Sequence, residues 1–236
     1  MAEVFRLRIC FSKVGRLRWL SHLELVRAME RLVRRSGLPY AVTQGFNRHM
    51  RFAGGPALPV GTAGEHELFD VWLTAYVPAN DALAALQSAG EGSLAVLSVE
   101  YVPASEKGLQ ATYTVNAYVL LVFDAGVDAA GLQAALDAVV AAGQLEVSHK
   151  GGAKQFDLGY CVVGAVSVSV EEAEADGGAE GAGGDGGDEG ALRVSCTLRN
   201  TAEGAMLRPE KLVEAALQGR GVVRSVVRVS LERDEA

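Results

Sequence analysis

The chain has 236 residues, 49% of them hydrophobic, and a formal net charge of −7. That length suits one large domain or two small ones, with ample apolar material for a core. No apolar run approaches the ~20 residues of a membrane-spanning helix, and the charged start MAEVFRLRIC lacks the apolar stretch of a secretory signal. A cytoplasmic protein with no membrane partner is therefore expected.

The net charge conceals an asymmetry. Residues 171–190 read EEAEADGGAEGAGGDGGDEG, with eight acids and no bases, so the rest of the chain carries +1. Residues 1–51 hold eleven Lys or Arg against three acids, and residues 52–103 hold no Lys or Arg at all. A basic block of this kind points to an anionic partner, or else to the solvated face of an ordinary domain. The three cysteines, Cys10, Cys161 and Cys196, lie far apart in apolar segments, as small buried thiols do.

Val4–Phe11 alternates in period two, with Phe5, Leu7, Ile9 and Phe11 in one phase, and predicts a half-buried strand. Ser12–Arg18 is a basic connector. Ser21-x-x-Glu24 is a capping-box pattern opening a helix, with Leu25, Val26, Met29, Leu32 and Val33 as the buried stripe. Arg27, Arg31, Arg34 and Arg35 share its outer face. Gly37 and Pro39 end it. Tyr40–Thr43 begins a second strand, interrupted by the polar turn GFNRHMR at Gly45–Arg51. Glu67–Tyr76 alternates as a third strand, Asn80 or Asp81 caps a short helix, and Leu94–Val102 is a fourth strand closed by Pro103. The second half repeats this order. It has a strand at Tyr113–Phe123, a helix opened by Asp128 or Ala129, and a strand at Leu145–His149. After a turn-rich basic excursion at Lys150–Asp157 come strands at Tyr160–Val170 and Ala191–Leu198. A helix with Pro209 in its first turn and a last strand at Val222–Leu231 complete it. The acidic Gly-rich tract is too polar to fold alone.

Two β-α-β-β-α-β runs predict an α+β protein of two tandem ferredoxin-like units. The units would span 1–103 and 112–232, with 171–190 as a flexible insertion in the second.

The segment from Arg6 to Gly61, with SHLELVRAMER and QGFN, together with KQFDL (154–158) and GAMLRPEKL (204–212), resembles the radical-SAM-linked domain of unknown function. In bacteria that domain stands alone or follows a radical SAM domain. The chain departs from the family's Gly-Phe-Asn-Pro-His-Pro-Arg turn, with Arg48 and Met50 at the two proline positions. The resemblance implies a bacterial cytoplasmic protein whose partner is a radical SAM protein and whose work is linked, through that partner, to RNA or ribosome-related processes. It does not imply radical chemistry in this chain, because Cys10, Cys161 and Cys196 lack the close spacing of iron–sulfur ligands.

The candidate nucleic-acid-binding residues are Lys13, Arg16, Arg18, Arg27, Arg31, Arg34, Arg35, Asn47, Arg48 and Arg51, which could neutralise several phosphates. Trp19, Phe46 and Phe52 lie near them in sequence and suit base stacking, the plain alternative for Trp19 and Phe46 being the core. His22 and His49 are candidate acid and base groups if they meet. Lys154, Asp157 and Arg208 are candidates for a cleft in the second unit. His66 and His149 lack partner spacing for a metal site, and no cofactor is expected. A purely structural subunit would leave the charge asymmetry unexplained, and two other function classes fit. One is a non-catalytic accessory module that presents RNA or another anionic partner. The other is a metal-independent RNA endonuclease resembling the CRISPR RAMP ribonucleases, with His22 or His49 as acid or base.

Overall fold

The structure is a computed structural model that describes residues 4–90, 94–123, 125–149, 151–171 and 191–234. Nearly all of the acidic Gly-rich tract expected to be flexible lies outside the described residues. The protein is α+β, with several helices and strands that pair mostly antiparallel. The chain divides into two compact units, one of residues 1–116 with 227–236, the other of residues 117–226.

The first unit contains β1 (Phe5–Lys13), a 3-10 helix (Gly15–Trp19), α1 (His22–Arg35), β2 (Phe52–Gly54), β3 (Ala63–Leu73), α2 (Ala79–Gly90), β4 (Ala95–Val102) and the single-turn α3 (Leu109–Thr112). Its strands lie in the order β4-β1-β3-β2, each pair antiparallel. The inward phase of β1 (Leu7, Ile9 and Phe11) meets Met29, Leu32 and Val33 of α1 and Phe69, Val71 and Leu73 of β3 in one core. Fully burying each such side chain stabilises the fold by about 1.5–3 kcal/mol. The helix forms where its caps say it should. The Ser21 side chain accepts from the Glu24 backbone N–H while the Glu24 carboxylate accepts from the Ser21 N–H, and Gly37 takes the left-handed conformation just past the end.

The second strand departs from expectation. Tyr40 and Val42 make only isolated bridges, to Leu73 and Met50, and the strand proper is Phe52–Gly54. The cause lies in the turn. Thr43 N–H donates to the His49 carbonyl and Arg51 N–H to the Ala41 carbonyl, so the chain touches the end of β3 at residues 40–41, turns back on itself through 43–51 and pairs with β3 again at Phe52.

The second unit takes part of β5 (Tyr113–Phe123), α4 (Ala129–Ala141), β6 (Gln144–His149), β7 (Gly152–Asp157), the single-turn α5 (Leu158–Cys161), β8 (Val162–Val170), β9 (Leu192–Arg199), α6 (Pro209–Leu217) and the start of β10 (Val222–Arg233). Its strand order is β10-β5-β9-β8. The core joins Tyr118, Leu120 and Val122 to Leu132 and Leu136 of α4 and to Leu212, Val213 and Leu217 of α6. Asp128 caps α4 by accepting from Gly131 N–H at 2.8 Å. Most of the excursion at 150–157 is a strand, because β7 pairs along its whole length with β6. The end of the last strand also differs. From Val227 onward it belongs to the first unit, where Val227 and Arg228 run parallel to Ala63 and Gly64 of β3.

Candidate nucleic-acid interface

Three of the eleven N-terminal bases are not at the surface. Arg6 and Arg8, on the second phase of β1, are 4% and 2% exposed. Both clamp the fully buried Asp70, Arg6 through Nε at 2.8 Å and Arg8 through Nε at 2.9 Å. Arg8 also donates to Glu106 at 2.7 Å and to the Tyr113 hydroxyl at 3.0 Å, and Arg6 donates to the Glu106 carbonyl. Within this buried set two guanidinium groups face two carboxylates. Burial alone would push the Glu106 carboxyl up, but its bond to Arg8 and the charges of Arg8 and Arg233 win and hold it below the usual range.

Lys13, expected among the phosphate contacts, is 1% exposed. It continues the inward phase of β1, and among the described residues its Nζ reaches only the Thr62 carbonyl, at 3.5 Å. Burial lowers its pKa, Glu67 opposes that, and Arg228 adds to it. A side chain so placed cannot contact a phosphate from outside. Arg228 is also fully buried, and it donates to both Glu67 oxygens, to Asn116 and to the Pro56 carbonyl. The sequence offered no sign of this cluster, whose partners lie up to 172 residues apart.

The other cations except the half-buried Arg18 remain outside. Arg16 is exposed on the 3-10 helix, and Arg27, Arg31, Arg34 and Arg35 are exposed on α1. Asn47, Arg48, His49 and Arg51 are exposed in the 43–51 turn. The Arg51 guanidinium lies 4.7 Å from the Trp72 ring, which also carries Arg6 at 5.2 Å, so the turn is tied to β3 by a shared aromatic contact.

The aromatic residues settle differently from the core alternative. Phe46, at the tip of the turn, is 109% exposed, and Trp19 is 59% exposed. A phenyl ring wholly in water gains nothing from the fold. Trp19 rests on Gly61, where an added Cβ would stand 3.1 Å from its ring. The half-buried Arg18 guanidinium sits 5.0 Å from the same ring, its Nε buried with no hydrogen-bond partner among the described residues. Phe52 is the exception. It stacks on Phe69 at 5.1 Å within the first core.

The two histidines do not form a pair. His22 opens α1 and lines a narrow cavity of about 20 Å³ with Gly54, Gly55 and Met29. His49 does not line it, and no hydrogen bond joins the two. The free thiols are poor nucleophiles. Burial pushes Cys196 up to about 12 and raises Cys161 and Cys10 as well. Among the described residues no group of three His, Cys, Asp or Glu could hold a metal ion. No helix among them is long and apolar enough to cross a membrane.

In the second unit, Lys154 and Arg208 line one cavity of about 500 Å³. Asp157 does not. It caps α5 by accepting from Tyr160 N–H at 3.3 Å.

Fold and site together define an α+β protein whose first unit exposes Phe46 and Trp19 and the arginines of α1 and of the 43–51 turn. The chain belongs to the family described as "Uncharacterized protein conserved in bacteria (DUF2344)", whose profile it matches over residues 6–183. No curated protein matches it. Among solved structures it is similar to a Cbf5-Nop10-Gar1 complex at 12% identity, covering 97% of this chain and 50% of that one, with a TM-score of 0.49. An archaeal box H/ACA sRNP Nop10-Cbf5 complex is similar at 11% identity, with 98% and 49% coverage and a TM-score of 0.44. An unknown protein from Galdieria sulphuraria is similar at 14% identity, with 98% and 99% coverage and a TM-score of 0.29. The chain spans about half the length of the first two, and none of these likenesses extends to function.

Proposed function

We propose that this protein is a non-catalytic accessory module of a bacterial radical SAM protein, and that it holds single-stranded RNA on the outer surface of its first unit. The observation that carries the reading is the wholly exposed Phe46 ring, set at the tip of a turn that also exposes Asn47, Arg48 and Arg51. Stacking on an exposed ring contributes about 1–3 kcal/mol per base and tolerates any sequence. Arginines nearby supply phosphate contacts. Both units read as ferredoxin-like, because each has its fourth, first, third and second strands side by side in that order, once the β6–β7 hairpin is set aside as an insertion in the second. The link to a radical SAM partner rests on the sequence resemblance.

The ribonuclease alternative, with His22 or His49 as acid or base, has less behind it: His22 lines the small cavity beside Gly54 and His49 does not. An electrophoretic shift series with a labelled uridine-rich RNA across salt concentrations tests the proposal. Affinity should fall with salt at a slope of about −0.7 per phosphate contacted, and Arg48→Glu with Arg51→Glu should flatten that slope. Absence of binding at low salt, or binding indifferent to both substitutions, contradicts it.

A further inference from the structure

The second unit carries a groove that the RNA reading does not use. Its cavity of about 500 Å³ is within the usual size of small-molecule sites. β7 supplies Lys154 and Phe156, the approach to α6 supplies Met206 and Arg208, and α6 itself supplies Lys211. Three of the lining residues are cationic and none is acidic.

The cations are unequally engaged. Lys211 pairs with Glu214 at 2.5 Å. Neither Lys154 nor Arg208 forms an ion pair with a described residue; the Lys154 charge acts on Glu203, which does not line the groove, and Lys154 rests 5.8 Å from the Phe156 ring. Arg208 occupies the N-cap of α6 without capping it by its side chain. A cation there opposes the positive end of the helix dipole, a cost that a bound anion offsets. Beneath the charges the walls are apolar. Phe156 is 5% exposed, and Met206 is held by the Tyr118 hydroxyl, which donates to its sulfur at 3.2 Å. Each wall pairs a cation with an apolar side chain, Lys154 with Phe156 on β7 and Arg208 with Met206 before α6, and this mixture matches a ligand with an anionic end and a flat or apolar body.

We propose that this groove binds a nucleotide-sized phosphate monoester, with Lys154 and Arg208 on the phosphate and Phe156 and Met206 against the uncharged part. Lys211 is drawn to the phosphate from its pairing with Glu214. The site stands apart from the RNA reading and does not depend on it.

Isothermal titration calorimetry on the full chain tests this, with adenosine 5′-monophosphate, adenosine and inorganic phosphate as probes. The monophosphate should bind saturably and more tightly than either fragment. Lys154→Ala and Arg208→Ala, both outside the core, should each weaken it about ten- to hundredfold, the range for hydrogen bonds to charged groups. Circular dichroism checks that each variant is folded. Arg48→Glu with Arg51→Glu should leave the affinity unchanged. No saturable heat with the monophosphate overturns the proposal. So does equal affinity for adenosine, which removes the role of the cations. Inorganic phosphate binding as tightly as the monophosphate removes the apolar contact and overturns it too, as do folded variants with wild-type affinity.

Discussion

Replacing Asp70 with Ala should cost the first unit about 3–5 kcal/mol, the usual loss when one partner of a buried ion pair is removed. Asp70 is fully buried and accepts four N–H groups, two from Arg6 and two from Arg8. Its removal leaves two guanidinium groups, 4% and 2% exposed, with Glu106 as the remaining carboxylate. The Glu106 and Lys107 carbonyls still bind Arg6, so the geometry survives but the charge balance does not. Urea unfolding followed by tryptophan fluorescence suits the test, because both tryptophans, Trp19 and Trp72, lie in the first unit. With a slope of about 2 kcal/mol per molar urea, the midpoint should fall by ~1.5–2.5 M. Asp70→Asn, which keeps the shape and one acceptor, should fall less. A midpoint shift under about 0.5 M for Asp70→Ala would refute the view that this cluster holds the 106–113 segment to the sheet.

Gly64→Ala should destabilise the same unit by about 1–3 kcal/mol, because the new Cβ would stand 2.3 Å from a Glu67 carboxylate oxygen that Arg228 fixes in place; a wild-type unfolding midpoint counts against it. The depressed Glu106 pKa gives a pH dependence of known sign. Its folded value lies below its unfolded one, so its contribution is complete above the ordinary carboxylate pKa and is lost as pH falls through the folded value. Acid unfolding of Glu106→Gln should show a shallower pH slope in that window, and an identical slope contradicts this. At pH 8, iodoacetamide should label Cys10 well before Cys161 and Cys196, which are 0% and 4% exposed and held as thiols; equal rates in the native state, read by peptide mass, argue otherwise.

Local signals survived folding well. The Ser21–Glu24 capping box, the Asp128 cap and the Pro209 start all act where the sequence puts them. Period-two alternation found one buried phase of β1 but not the second. Arg6 and Arg8 are covered by a segment about one hundred residues away, and no local pattern reports a cover so distant. The same reason hid Lys13 and Arg228, whose partners come from β3, the loop before it and, for Arg228, β5 as well. KGGAKQFD looks like a loop because its glycines and charges outweigh a strand propensity that only pairing with β6 realises. In the candidate site, residue type alone could not decide between core and surface for Trp19 and Phe46. Aromatic rings serve both, and only the closing of the 40–51 turn puts Phe46 in water.

Photocrosslinking puts the central claim to its most direct test. A 4-thiouridine single-stranded RNA is bound at low salt, irradiated and mapped by peptide mass. The account predicts crosslinks at Phe46 and Trp19, lost in Phe46→Ala and Trp19→Ala respectively while the fold persists. Crosslinks confined to residues 117–226, or none under conditions where a known RNA-binding control reacts, would contradict it.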